Sequence, residues 1–283
     1  MKVLLTLILL FVSFSAHAQK MSVASYNIRC INNGDTQKGN GWEVRCPAVA
    51  NLVRFHDFDI WGAQEVVMRK QLDDLLAVLP EYHYIGVGRD DGKDRGEASP
   101  IFYKKSRFEL LKEGHFWLSE QPAEPSKGWD AALPRICSWG VFKDKESAKT
   151  FWFFNLHFDH VGVVARAESA KLVLAKIREM CGDQPAILTG DFNVDQHNPS
   201  YKLIAESGLL HCAYETCAVR YAPNGSFNSF NLQGVTDSRI DHIFTTKDFK
   251  VERYGILTDT YCPEKGPPRL PSDHFPIKVI VSY

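Results

Sequence analysis

The chain has almost no net charge, with 33 Lys and Arg against 34 Asp and Glu. That balance argues against a high-affinity, non-specific nucleic-acid binder, while leaving room for a catalyst that meets nucleic acid through a local basic patch. No Cys-x-x-Cys pair occurs among the seven cysteines, which argues against a zinc ribbon or a redox motif. Internal repeats, low-complexity tracts and dividing linkers are absent as well. The 283 residues, ordinary in apolar and charged content, therefore read as one domain. Beyond the N-terminus no apolar run is long enough to cross a bilayer.

What is present begins with a targeting signal. Lys2, an apolar run from Val3 to Phe14, and Ala16-His17-Ala18 have the order of a charged region, a hydrophobic region and a small-x-small cleavage site. The expectation is a signal peptide over 1–18, a mature domain over 19–283, and export to the periplasm or the outside. No cysteine follows the cleavage site, so no lipid anchor is indicated. Cys212 and Cys217 could form a local disulfide in an oxidising compartment. Buried thiols are the plainer reading for most of the cysteines.

Apolar periodicity predicts helices over Trp42–His56, with Pro47 in a tolerant first turn, from Leu72 to Pro80, and from Val163 to Cys181. Between them lie runs with strand character: Ser22–Cys30, Phe58–Ala63, Tyr82–Val87, Glu97–Tyr103, Phe108–Leu118, Pro134–Phe142, Thr150–Asp159 and Ile187–Leu188 onward. The strand starting at Ile187 ends in Gly190-Asp191-Phe192-Asn193. If the chain stays extended, Asp191 and Asn193 share one face, as do Asn155, His157 and Asp159.

Polar side chains recur at or near the ends of these apolar runs: Asn27, Glu65, Glu97, Arg135, His157, Asp191, Asn193, Asp241, Asp273 and His274. One such residue is an ordinary strand-end group bonding local backbone. Ten of them, spread over most of the chain, point to a shared site, because an unpaired buried charge is costly. Oxygen ligands with few thiols suit a hard cation, Mg²⁺ or Mn²⁺. Two histidines, one next to a carboxylate, suit proton transfer near neutral pH, and Arg135 can clamp phosphate oxygens.

Ser25-Tyr26-Asn27-Ile28-Arg29, Gln64-Glu65, Glu97-Ala98-Ser99-Pro100, Asn155-Leu156-His157, Gly190-Asp191-Phe192-Asn193, Arg239-Ile240-Asp241-His242 and Ser272-Asp273-His274 form an ordered set. The set resembles that of the endonuclease/exonuclease/phosphatase superfamily, in a secreted bacterial branch near its deadenylase-like and nocturnin-like members. The resemblance covers essentially the whole mature chain. It implies a DNase-like α/β fold, a four-layer α/β/β/α sandwich of two mixed sheets with the site where the sheets open. It makes Glu65 the principal metal ligand with Asn27 beside it. Asp191 and Asn193 would position water and phosphate, and Asp273 would orient His274 or touch the metal. His157 would be supported by Glu97, and Asp241 would orient a histidine or ligate. Arg135 and Asp159 are looser assignments.

The chemistry expected is in-line attack of water on phosphorus by a monomeric Mg²⁺-dependent phosphoric ester hydrolase. A phosphodiester, from nucleic acid or a phospholipid head group, is the leading substrate. A phosphomonoester of a sugar, inositol or nucleotide is the alternative. A third reading is a non-catalytic module in which Trp117 and Trp129 grip a glycan or lipid. Specificity is expected in the loops Asn32–Gly41, Arg89–Gly96, Ser119–Pro134 and Cys212–Leu232.

Overall fold

Residues 19–221, 224–234 and 236–283 are described in the computed structural model; the expected signal peptide lies outside them. In chain order come β1 (Lys20–Asn27), α1 (Asn33–Gln37), α2 (Trp42–Phe55), β2 (Ile60–Gln64), β3 (Val66–Val67), α3 (Gln71–Val78) and β4 (Tyr82–Ile85). Next are β5 (Glu97–Ala98), β6 (Ile101–Lys104), β7 (Phe108–Trp117), β8 (Ile136–Asp144), β9 (Thr150–His157), α4 (Val163–Cys181) and β10 (Ala186–Asp191). The chain closes with α5 (Pro199–Ala205), β11 (His211–Cys212), α6 (Ala213–Thr216), β12 (Val219–Tyr221), β13 (Asp241–Thr245), β14 (Lys250–Ile256) and β15 (Ile277–Ser282).

The strands form two large sheets, ordered β12-β14-β15-β1-β2-β6-β4 and β11-β13-β10-β9-β8-β7. Three apolar clusters then define four layers. Helix α2 and helix α3 bury Val49, Val53, Leu72 and Leu75 against Trp61 and Phe102 of the first sheet. Helix α4 lays Val173, Leu174 and Ile177, and α5 lays Ile204, on Phe154, Leu188 and Phe244 of the second. Between the sheets, Val23, Ile60, Phe153, Ile187, Ile243 and Val279 interlock. The expected α/β/β/α sandwich is what the chain builds.

Along the inner faces the chemistry changes with height. β1 and β2 run parallel, as do β9 and β10, so their C-terminal ends meet at one edge of the sandwich. At the centre the inward residues are apolar. One step further lies a fully buried polar belt of Ser25, Gln64, Asn155 and Thr189. The Asn155 amide donates to Ala63 O at 2.7 Å and Pro100 O at 2.9 Å, and accepts from Gln64 at 2.7 Å and Thr189 at 3.0 Å. All four of its hydrogen-bonding capacities are used, and it ties one sheet to the other. Gly62 is required there, since a Cβ would overlap the Asn155 amide and the Thr189 hydroxyl.

Local departures from the sequence reading have physical causes. Pro47 sits in the second turn of α2, where it removes the hydrogen bond that would reach the Glu43 carbonyl. The expected strand Glu97–Tyr103 breaks at Ser99-Pro100, because the Pro100 carbonyl is drawn to Ala63 N and to Asn155. All seven cysteines are free thiols, so Cys212 and Cys217 make no disulfide. Among the described residues no helix is long and apolar enough to cross a membrane.

Candidate active site

Strand register assembles the site. In the second sheet, His157 of β9 pairs with Asp191 of β10, which pairs with Asp241 of β13, so three strands place three functional groups side by side. From the first sheet, β1 ends in Asn27 opposite Gln64, one residue before Glu65. Three residues just past strand ends then adopt left-handed backbone conformations: Arg29 (φ 60°), Glu65 (φ 60°) and Asn193 (φ 51°). Such non-glycine conformations persist only where surrounding contacts enforce them, and they cluster at functional sites. At Glu65 the turn sets the carboxylate beside Asn27, and at Asn193 the backbone N–H returns to Asp191 Oδ1 at 2.9 Å.

Asn27 is the hinge between the sheets. Its amide donates to Glu65 Oε1 and to Asp191 Oδ2, both at 3.0 Å, while its oxygen accepts from Arg29 N. Glu65 Oε2 accepts the Cys30 N–H at 3.0 Å. Burial opposes ionisation of Glu65, but the Cys30 N–H, His274 and Asn27 outweigh it and hold its carboxyl below the usual range. Asp273 lies 3.5 Å from Arg29, whose guanidinium is shared with Asp35 at 2.8 Å. Burial raises the Asp273 carboxyl, with Glu65 adding to the effect.

The two histidines are held in opposite states. His274 Nδ1 bonds Asp241 at 2.9 Å, and its Nε2 lies 3.8 Å from Asp191. Burial alone would discharge this ring, yet Asp241 and Asp191 together raise it well above the ordinary histidine range, so it stands as an imidazolium. His157 is pushed well below that range by burial, then by Arg135 and Arg89, and is neutral. Its Nε2 accepts from the Asn193 amide at 3.0 Å. Burial, with Asp241 alongside, raises Asp191.

These groups line a pocket of about 460 Å³ together with Arg29, Cys30, Arg89, Glu97, Leu133, Arg135, His160, Phe227, Ser229 and Ile240. Of the ten residues singled out in the sequence, eight line it, and the other two bond lining residues directly, Asn27 to Glu65 and Asp191, and Asp241 to His274. Several roles change.

Glu97 pairs with Arg89 at 2.9 Å and does not support His157. Asn193 spends its amide protons on His157 and on Phe158 O, so it orients His157 and offers phosphate no donor. Asp241, not Asp273, orients His274, which leaves Asp273 facing Glu65 and Arg29. Asp159 caps the loop before α4 through Val161 N and Gly162 N, and pairs with Arg135 at 3.1 Å. Trp117 is buried with its Nε1 on Arg89 O, so it has no face free to grip a glycan. Arg29 and Arg89 are the site residues that strand-end reasoning missed. Arg29 stood within the first motif, and Arg89 opened a loop already marked for the mouth.

Three buried carboxylates (Asp191, Asp241 and Asp273) and the partly buried Glu65 thus converge, with only Arg29 and His274 as ion-pair partners among the described residues apart from the neutral His157. Ligand atoms of Glu65, His157 and Asp191 lie within 4.8 Å of one another, as do those of Asp191, Asp241 and His274. The second trio is closed by its own hydrogen bond and by a protonated ring. Glu65 and Asp191, with Asp273 adjacent, offer the excess of hard oxygen donors that a divalent cation would neutralise. The residues fit such an ion.

A pocket of this kind, with acids and histidines at the open edge of a two-sheet sandwich, defines a class of phosphoester hydrolase. The Endonuclease/Exonuclease/phosphatase family profile matches residues 24–274, and the chain belongs to that family. An endonuclease/exonuclease/phosphatase family protein from Bacteroides thetaiotaomicron is 54% identical, with a TM-score of 0.91 over 94% of this chain and 99% of that one. A structure described as a mannosyl-6-phosphatase of the same species is also 54% identical, with a TM-score of 0.90 over 93% of this chain and 100% of that one. The human nocturnin catalytic domain, 18% identical with a TM-score of 0.71 over 93% of each chain, shares the fold.

Proposed function

We propose that the protein is an exported, divalent-cation-dependent phosphomonoesterase that releases orthophosphate from a sugar, with a hexose 6-phosphate as the representative substrate. The observation that carries this reading is the 54% identity, over 93% of the chain, to a protein described as a mannosyl-6-phosphatase. It moves the monoester ahead of the diester that the sequence had placed first. Lys2 and the Val3–Phe14 run support export. The convergence of acids and histidines argues against a non-catalytic module.

The pocket chemistry suits a dianionic ester. A divalent cation held by Glu65 with Asp273 and Asp191, Asn27 fixing two of these carboxylates, would offset charge on the phosphoryl oxygens. The His274 imidazolium, secured by Asp241, offers an N–H to the same oxygens as negative charge builds. Asp191, oriented by Asn27 and the Asn193 N–H, is the carboxylate placed to take the proton of an attacking water. His157 is kept neutral and in one tautomer by Asn193, so it hydrogen-bonds the phosphate without competing for a proton. The oxygen–phosphorus bond to water forms as the bond to the sugar oxygen breaks, and the departing alkoxide takes up a proton from solvent in the open pocket.

The test is initial-rate hydrolysis of mannose 6-phosphate against a matched aryl phosphodiester, with Mg²⁺ or Mn²⁺ and with chelator. Chelator-sensitive release of orthophosphate, faster from the monoester, is expected. Faster diester cleavage would return the reading to a nuclease or lipid phosphodiesterase.

A further inference from the structure

We infer that Arg89 and Glu97 form an arm that reads a hydroxyl of the alcohol half of the ester, which makes them specificity-determining residues. The inference rests on the phosphomonoesterase reading above and adds a recognition element to it.

The arm is built, not incidental. Arg89 Nη1 and Glu97 Oε2 are 2.9 Å apart on one wall of the pocket. Their backbones are also joined, Arg89 N donating to Glu97 O at 3.0 Å, and Gly88 bridges Ala98. Trp117 Nε1 holds the Arg89 carbonyl at 2.7 Å. A charged loop that would otherwise be mobile is thereby fixed against β5 and β7. Neighbouring Arg135 is already engaged by Asp159 and, at 2.9 Å, by His160.

Arg89 and Arg135 both line this wall of the pocket, each held by a carboxylate, Glu97 and Asp159 respectively.

The chemistry of the wall selects the ligand. The dianionic phosphoryl group of a monoester carries only acceptors, and the Glu97 carboxylate would repel it. A hydroxyl both donates and accepts, and a guanidinium beside a carboxylate offers it one partner of each kind. The reacting phosphate is assigned instead to His274 and to the cation that Glu65 and Asp191 would hold. The arm belongs to the polyhydroxylated leaving group. Arg suits the role better than Lys because its planar fork holds Glu97 while presenting a second N–H in a fixed direction.

The measurement is calorimetric titration of the full mature protein with mannose 6-phosphate and with orthophosphate, with Ca²⁺ as the divalent cation and orthophosphate release checked to be negligible over the titration. Wild type, Arg89→Lys and Glu97→Gln are compared. Wild type is expected to bind the hexose 6-phosphate about tenfold more tightly than orthophosphate, and each variant to lose most of that preference. A wild type without preference, or variants in which both ligands weaken equally, would overturn the inference, the second result assigning the arm to phosphate. Unchanged circular dichroism and melting temperature would show that the variants are folded. If hydrolysis of mannose 6-phosphate fails while the titration preference holds, the monoesterase reading is wrong and the arm stands.

Discussion

Two buried ion clusters lie at opposite ends of the sandwich, and they are balanced differently. At the end holding the start of β1, Asp59 is met by Lys104 at 2.9 Å, Arg107 at 2.5 Å and the Ser22 N–H at 2.8 Å, and Arg107 also reaches Asp144 at 3.2 Å. Each buried acid there has a cation, and the further acids that reach Lys104 and Arg107, Asp57 and Glu146, are exposed to water. At the other end four acids share Arg29 and His274, and Arg29 is divided further with Asp35. The matched cluster closes the sheet ends, while the mismatched one has a charge left over for something brought in from outside. Burial is common to both; the imbalance distinguishes a site from a fastening.

The sharpest way to break the comparison is Asp191→Asn. Rates should fall on the order of 10³-fold or more, because the carboxylate beside the attacking water is lost. The melting temperature should hold or rise, since a like charge is removed next to Asp241; a large fall would make Asp191 structural.

At the far end, Arg107→Met should cost about 3–5 kcal/mol by denaturant unfolding, because Asp144 loses its buried cation and Asp59 keeps only Lys104. Turnover per folded molecule should be unchanged, and a specific loss of turnover would erase the contrast.

Midway, Gly62→Ala should cost about 1–3 kcal/mol through overpacking against Asn155 and Thr189. Its activity should fall as well, because the displaced belt lies one step beneath Asn27 and Asp191.

The narrowest contrast compares two histidines. His242 follows Asp241 on β13 but points outward, its ring against Phe192 and Tyr201 and its Nε2 3.0 Å from Val194 O. Burial lowers it to about 4. A depressed histidine is neutral in the fold, so its contribution is present above the unfolded value of 6.5. It is lost as pH falls from there towards 4, at about 1.4 kcal/mol per pH unit. Ring NMR titration should show His242 uncharged at pH 6 while His274 is still charged there. Reversed order would invert the roles assigned to them.

The fold was legible because its causes are local. The apolar run Thr150–His157, the face of α4 and the polar strand ends each declare themselves in sequence, and their order carried the family resemblance. Site membership was legible for the same reason. Roles were not. Asp191 and Asn193 were expected to share a face by strand period, but β10 ends at Asp191 and a left-handed turn at Asn193 replaces the period. Glu97 was expected to serve His157, yet the contact that claims it comes from Arg89, eight residues earlier across a bridged loop. Such pairings depend on loop geometry, which no periodicity records.

The account stands most directly on the charge imbalance being a cation site. Mn²⁺ titration of the mature protein, followed by the fall in the free-ion paramagnetic signal and by the melting temperature, tests this without requiring turnover. Wild type and Arg107→Met should each bind the ion and gain thermal stability from it, and Glu65→Gln should lose both effects. Binding that survives in Glu65→Gln, or that disappears in Arg107→Met while the protein remains folded, would contradict the account.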